Sequence, residues 1–286
     1  MSRPPKYDWT GTVLPAAAAF VESFDIGVTL RQCFYFLFSR GHIENTKQDY
    51  QSLSAWTTRA RDAGRFPDFI DNGRWINRYP YTFGGSDDAH EWLRTHYRRD
   101  RAEFADVSIY LGVEKAGLAA QLNYWFQPLG IPILPLGGWS SQTFRESVRR
   151  EIVRRRRPAV LIYAGDLDPS GAYIGQSFAE KVGAFTQVVR IGLNVDQLAG
   201  LPENPYPEKK LANPLIGRFQ REFGPQLVAR GYPELVQFEL DALEPAQLRA
   251  IYRDGIRPYF DASAFMRSRD LEREDLVEIE RRWAAA

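Results

Sequence analysis

The 286 residues are enough for one large domain or two of ordinary size. Apolar residues at 44% and charged residues at 26% are the balance of a folded soluble chain, and 14% aromatics argue for anchored cores rather than disorder. A net charge of +1 removes any global electrostatic case for nucleic acid, one cysteine excludes a disulfide framework and a Cys-based zinc site, and three histidines speak against a His-rich metal site.

At the amino end, Met1-Ser2-Arg3-Pro4-Pro5-Lys6 leads into an apolar stretch, Ala16 to Phe20, too short and interrupted for a signal peptide. No apolar run approaches the roughly 20 residues of a membrane span, so a cytoplasmic protein without membrane contact is expected. Thr29-Leu30-Arg31-Gln32 spells a capping box and predicts a helix to Arg40, stopped at Gly41. Leu30, Cys33, Phe34, Leu37 and Phe38 make its apolar face, and Arg31, Tyr35 and Ser39 recur at i, i+4, i+8 as a polar stripe.

A second helix is expected from after Asn45 to Ala63, ending at Gly64, with Tyr50, Leu53, Trp56, Thr57 and Ala60 buried. With Phe69 to Tyr81 as a wing, this reads either as a winged helix-turn-helix or as a small helical subdomain without DNA contact. A charged helix or linker, His90 to Phe104, follows.

From there strands and helices alternate: Val107 to Val113, helix Ala116 to Phe126, strand Ile131 to Leu136, helix Gln142 to Arg156, strand Ala159 to Ala164, helix Ala172 to Val182, strand Thr186 to Ile191. This is the α/β pattern of a parallel sheet covered on both faces, which binds ligands at the carboxyl ends of its strands. The basic run Arg149 to Arg157 fits a solvated helix face as well as a local basic patch. Pro202, Pro205, Pro207 and Pro214 mark a loop, and helices are expected at Pro214 to Phe223, Pro245 to Tyr252 and Arg269 to Trp283.

Two strand ends carry carboxylates: Val113-Glu114-Lys115, and Gly165-Asp166-Leu167-Asp168-Pro169-Ser170-Gly171. Parallel strands open these ends on one edge, so Glu114 can face Asp166 and Asp168, and period-2 alternation turns both aspartates one way. Three converging carboxylates repel unless a cation joins them, and hard oxygen donors favour Mg²⁺ or Mn²⁺. The alternative is a strand-end turn with acidic caps.

A glutamate at one strand end followed by Asp-x-Asp after a later strand resembles the Toprim signature of topoisomerases, primases and nucleases. The form Gly165 to Gly171 is similar to the A subunit of topoisomerase VI and to the related meiotic double-strand-break protein. In that family a winged-helix domain ahead of the Toprim domain carries a tyrosine in an Arg-x-x-Tyr-Tyr type of motif. Arg31-Gln32-Cys33-Phe34-Tyr35 resembles it, with Phe34 in place of the first tyrosine. The resemblance runs from about residue 25 to about residue 192, and Glu239-Leu240-Asp241-Ala242-Leu243 resembles a segment of short stand-alone bacterial and phage relatives.

The resemblance implies a winged-helix-like DNA-binding domain over 1–100, a Toprim domain over 101–195, and a C-terminal extension over 196–286 packed on it. It implies DNA as partner, a nucleoid-associated location, a Mg²⁺ (or Mn²⁺) site at Glu114, Asp166 and Asp168, and attack by Tyr35 to give a 5′-phosphotyrosine. Arg31 and Lys115 would assist, and a homodimer would pair the tyrosine of one protomer with the Toprim site of the other. The chain has no Gly-x-x-x-x-Gly-Lys-Ser/Thr loop, so full strand passage would need a separate ATPase partner. The alternatives are a Toprim nuclease using metal-activated water, in which Tyr35 is a helix residue with a satisfied hydroxyl, and a non-catalytic DNA-binding or regulatory protein.

Overall fold

Two apolar runs dictate the centre of the protein. Ser108–Val113 (β1) and Ala159–Ala164 (β3) are buried along their whole length, as parallel strands covered on both faces must be. In the computed structural model, which describes residues 6–24, 27–70, 81–137 and 141–284, they lie side by side at the middle of a parallel sheet. Ile133–Pro135 (β2) and Gln187–Gly192 (β4) form its edges, in the order β2-β1-β3-β4. The chain is therefore α/β.

Alternation sorts the two faces. Ile109, Leu111, Val113, Val160, Ile162 and Ala164 face one core, built with Ala116–Phe126 (α5), Ile216–Val228 (α8) and Pro245–Ile256 (α9). Tyr110, Leu161 and Tyr163 face the other, under Gln142–Arg155 (α6) and Ile174–Val182 (α7). The Tyr252 hydroxyl donates to the Gly112 carbonyl at 2.7 Å and so ties α9 to the central strand. After β1 the chain crosses to β2, then returns past β1 to reach β3. The carboxyl ends of β1 and β3 thus flank a topological switch point, where such sheets open a crevice.

The amino-terminal part has its own core. Leu14–Glu22 (α1), Leu30–Ser39 (α2) and Lys47–Asp62 (α3) enclose Val13, Phe20, Phe34, Leu37 and Leu53. Among the described residues this part contributes helices and no strand; residues 71–80, which hold most of the expected wing, lie outside them. Ser86–His96 (α4) packs on the last helix, Ala262–Ala284 (α10). A short antiparallel pair, Asn204–Pro205 (β5) with Val236–Gln237 (β6), precedes Glu239.

Several element bounds differ from expectation, each for a local reason. The helix expected over His90 to Phe104 is Ser86–His96, because Tyr97 turns extended and its hydroxyl is held by Asp275 of α10 at 2.6 Å. The strand expected over Ile131 to Leu136 shrinks to three residues, bracketed by Pro132 and Pro135, which offer no N–H. The helix expected from Ala172 starts at Ile174, since residues 168–173 turn around Asp168. The helix expected to end at Phe223 continues to Val228 through the exposed Pro225, because Phe223 and Leu227 on its inner face are buried. The helix expected to end at Tyr252 runs to Ile256, which is buried on the sheet, and the last helix begins at Ala262 rather than Arg269.

The capping box forms as spelled. Gln32 N donates to Thr29 Oγ1 at 3.2 Å, and Thr29 N to the Gln32 side chain at 2.9 Å. It fixes the first turn of α2, which carries Arg31. Thr29→Ala is expected to lower stability by about 1 kcal/mol, a fall of about 2 °C in Tm. A melting curve overlaying that of the parent would refute that role of the cap.

Candidate active site

Both strand-end acidic segments meet at the switch point. Glu114 follows β1, and one of its carboxylate oxygens, Oε2, accepts from the Asp166 N–H at 2.7 Å. A Cβ at Gly171 would stand 2.7 Å from that oxygen, so the loop after β3 closes on Glu114 only because residue 171 has no side chain. Asp166 is 2% exposed. Its Oδ1 accepts from Leu240 N at 2.8 Å, and its Oδ2 pairs with Lys115 Nζ at 2.5 Å. Asp168 caps its own turn by accepting from Ser170 N and Gly171 N at 2.8 and 2.7 Å, with Lys210 Nζ 3.6 Å from its other oxygen.

Glu114, Asp166 and Asp168 therefore gather in one crevice but do not converge on one point in the way the alternation suggests. Among the described residues, no three His, Cys, Asp or Glu side chains form a ready group for a metal ion. Leu167 exchanges both backbone hydrogen bonds with Phe238, and the chain bends at Asp168, whose carboxylate caps its own turn. Lys115, at the amino end of α5, bonds Asp166 instead.

A second acidic pair comes from the far end of the chain. Lys115 Nζ lies 2.7 Å from Glu239 Oε2, and Arg31 lies 2.9 Å from the same oxygen. Arg31 also pairs through Nε with Asp241, and its NH2 donates to the Tyr35 hydroxyl at 3.4 Å. One network thus links α2, the end of β1, the loop after β3 and the segment after β6. Arg31, Lys115 and Asp241 open on a cleft of about 660 Å³ that α2 and α3 share with the start of α5. The polar stripe expected on α2 holds for Arg31 and Ser39, but Tyr35 is 7% exposed. Its ring meets Phe34 edge-on at 5.5 Å, because the amino-terminal core closes over both.

Charge at the site is unbalanced. Burial, then the Glu239 charge, pushes the Tyr35 phenol up to about 12 against the pull of Arg31, so it is neutral at neutral pH. Burial and the neighbouring Glu114 raise Asp166, and burial raises Glu114. Burial also raises Asp241, whose Oδ1 is buried without a hydrogen-bond partner. At Glu239 burial is outweighed by Lys115 and Arg31, and its carboxyl is held below the ordinary range. Five carboxylates (Glu114, Asp166, Asp168, Glu239 and Asp241) thus lie with four cations, Lys115, Arg31, Lys210 and Arg190. An all-oxygen donor set, with the unpartnered Oδ1 of Asp241 beside it, fits a hard divalent cation by its chemistry.

Sequence reasoning misses two residues of the site, Lys210 and Arg190. Arg190 on β4 points its guanidinium under the acidic loop and donates to the carbonyls of Leu193 (2.7 Å), Asp166 (3.1 Å), Gly171 (3.1 Å) and Gly165 (3.4 Å). Its signal is a lone arginine within the apolar strand Gln187-Val-Val-Arg-Ile-Gly. Glu239 and Asp241 are visible only as part of a resembling segment, without a role. No protein-family model matches this sequence, and no curated protein is significantly similar to it.

Arg190 shapes the loop through a fork that only a guanidinium offers. Arg190→Met should cost at least about 3 kcal/mol in urea unfolding, because it strands buried carbonyls, and Arg190→Lys should recover only part of it. A loss below about 0.5 kcal/mol for the methionine variant would show that the loop holds its shape unaided.

Proposed function

We propose that this chain is a metal-dependent DNA-cleaving or nicking enzyme that resembles the Toprim family of the topoisomerase VI A subunit. The observation that carries the reading is the Arg31 network, which joins the Tyr35 hydroxyl to the carboxylates at the sheet's switch point within one chain. In this reading residues 1–100 are the winged-helix-like DNA-binding domain, 101–195 the Toprim domain and 196–286 an extension that completes the site through Glu239 and Asp241.

Glu114, Asp166 and Asp168 would hold Mg²⁺ or Mn²⁺, which supplies a Lewis acid for phosphate oxygens. Arg31, already turned toward Tyr35, is the group that can accept a phosphate in exchange for a carboxylate, since a guanidinium binds either in the same forked way. Tyr35 Oη would attack phosphorus as the bond from phosphorus to the 3′ oxygen breaks. The phenol proton is lost, the departing 3′ oxygen gains one, and the product is a 5′-phosphotyrosine. Glu239, bonded to the same arginine as Tyr35 and the charge that acts on it most, would draw the proton once Arg31 turns to the phosphate. Lys115 favours the ionised form of Glu239 and opposes the rise of Asp166.

The homodimer, with the tyrosine of one protomer serving the other's carboxylates, belongs to the proposal, as does a separate ATPase partner for strand passage. Within the chain itself, Arg31 brings Tyr35 to its own carboxylates. A second reading is favoured by the burial and raised phenol of Tyr35. In it, metal-activated water cleaves the phosphodiester and the tyrosine only supports Arg31. No helix is long and apolar enough to cross a membrane among the described residues.

The two routes part on Tyr35→Phe, which removes one hydroxyl. With supercoiled plasmid and Mn²⁺, the tyrosine route requires a protein–DNA adduct on denaturing gels in the parent. It also requires the adduct to vanish and cleavage to fall at least about 100-fold in the variant. Cleavage at the parental rate, without adduct, selects the water route.

Asp166→Asn and Asp168→Asn each remove a donor charge and keep the shape. The parent should gain stability from Mg²⁺ or Mn²⁺ by binding linkage, about 2.7 kcal/mol at a hundred times Kd, and the variants should lose most of that gain. A melting shift unchanged in both asparagine variants would remove the metal from these residues.

A further inference from the structure

Glu114, Asp166 and Asp168 each commit one oxygen to the backbone. Glu114 Oε2 accepts from Asp166 N, Asp166 Oδ1 from Leu240 N, and Asp168 Oδ1 from Ser170 N and Gly171 N. Those bonds set where the carboxylates stand. The second oxygens of the two aspartates each face a lysine. Asp166 Oδ2 meets Lys115 Nζ at 2.5 Å, and Asp168 Oδ2 meets Lys210 Nζ at 3.6 Å.

The two lysines are held differently. The Lys115 side chain is 22% exposed, starts α5 and also bonds Glu239 at 2.7 Å. The Lys210 side chain is 41% exposed, and Asp168 is its one ion-pair partner among the described residues. It ends a single helical turn, Glu208–Lys210, within the proline-rich loop. Its ammonium also lies 6.0 Å from the centre of the Tyr206 ring. The backbone beneath it is fastened. The Tyr206 hydroxyl donates to the Lys210 carbonyl at 3.4 Å, and Asn213 Nδ2 donates at 2.9 Å to Ser170 Oγ, in the turn that Asp168 caps. The loop is thus tied beside Asp168, while one long ion pair holds the ammonium.

We infer that Lys210 is a displaceable cation: it holds the outer oxygen of Asp168 until a divalent ion takes that oxygen, and its ammonium then turns to a phosphate of the substrate. The inference rests on the metal-dependent DNA-cleaving reading above and adds a phosphate-binding residue to it. A long ion pair with a half-exposed partner is weak, because water competes for the ammonium, so a divalent charge displaces it. A lysine is a compact charge on a flexible four-carbon stem and can turn without moving the backbone. Lys115 cannot play this part, because its departure would leave Asp166 and Glu239 facing each other unpaired. The cation released by metal binding is offered to the phosphate that the metal attracts. Arg31 answers that phosphate from the Tyr35 side, and Lys210 from the Asp168 side. Metal and substrate binding are then coupled through one side chain.

The test is Lys210→Gln, read by two measurements. Mn²⁺ is titrated into the protein by calorimetry. Binding of a fluorescent duplex of about 20 base pairs is read on mixing, in EDTA and in saturating Mn²⁺. With the competitor gone, the variant should bind Mn²⁺ at least about three-fold tighter than the parent. In EDTA it should bind the duplex like the parent, since Lys210 is then engaged by Asp168. In Mn²⁺ it should bind the duplex about ten-fold more weakly. Lys209→Gln, which removes the same charge from the neighbouring exposed position, should follow the parent throughout. Lys210→Arg, which keeps a cation there, should do the same.

Mn²⁺ affinity that is unchanged or weaker in Lys210→Gln overturns the inference. So does duplex binding that is parental in Mn²⁺, or weakened equally in EDTA and Mn²⁺, or weakened as much by Lys209→Gln. If Lys210→Gln melts early, Lys210→Met, which keeps the apolar stem, must show the same two shifts, and their absence overturns the inference. A parent that binds Mn²⁺ and cuts plasmid while Lys210→Gln matches it sinks the role of Lys210 and leaves the DNA reading standing. A parent that binds neither Mn²⁺ nor duplex sinks both.

Discussion

One ammonium group holds three distant parts of the chain to a point. Lys115 stands at the amino end of α5, bonded to Asp166 from the loop after β3 and to Glu239 from the segment after β6. Through Glu239 the link passes to Arg31 and so to the amino-terminal helices. Apolar contact between the two regions is thin, with Ala242 and Leu201 joining the amino-terminal core. Charge therefore carries much of the registration between α2 and the sheet edge. Such pairs are costly to desolvate and costly to break, so they specify an arrangement more than they stabilise it.

That constraint explains why the site is more closed than a list of strand-end carboxylates suggests. Glu114 and Asp166 reach the crevice because β1 and β3 are neighbours whose carboxyl ends coincide, with Val113 opposite Ala164. Each carboxylate then finds an internal partner: a backbone N–H, a lysine or an arginine. Burial still disfavours the charged forms of Glu114, Asp166 and Asp241, which are held above their ordinary range.

Much of the sheet is legible in sequence because parallel strands leave continuous apolar runs. Ala116–Phe126 and Ala159–Ala164 fall where the pattern puts them, and the strand-end position of Glu114 and Asp166 follows from the same runs. Periodicity cannot see what distant segments contribute. Nothing local at Glu239 or Asp241 announces that they meet Arg31, more than two hundred residues away. The burial of Tyr35 depends on the amino-terminal core, to which distant Ala242 and Leu201 contribute, so the stripe that predicts Arg31 correctly fails one turn later. Arg190 is legible only as a local contradiction, a charge in an apolar strand, which is how a functional position often betrays itself.

The hydrogen bond from Tyr252 to Gly112 bears on how the protein comes apart. Phe219, Leu248 and Ile256 cover one face of the sheet, and the segment between α8 and α9 supplies Glu239 and Asp241. That layer cannot open as a flap while the rest stays native, because lifting it uncovers β1 and β3 and removes two of the five carboxylates in the same motion. It belongs to the last cooperative unit to exchange its amides. The α4/α10 pair is joined to the sheet region chiefly by polar contacts, such as Ser268 to the Asp100 carbonyl and Arg101 to Glu272. It can exchange and be nicked by proteases well before the acidic crevice is disturbed.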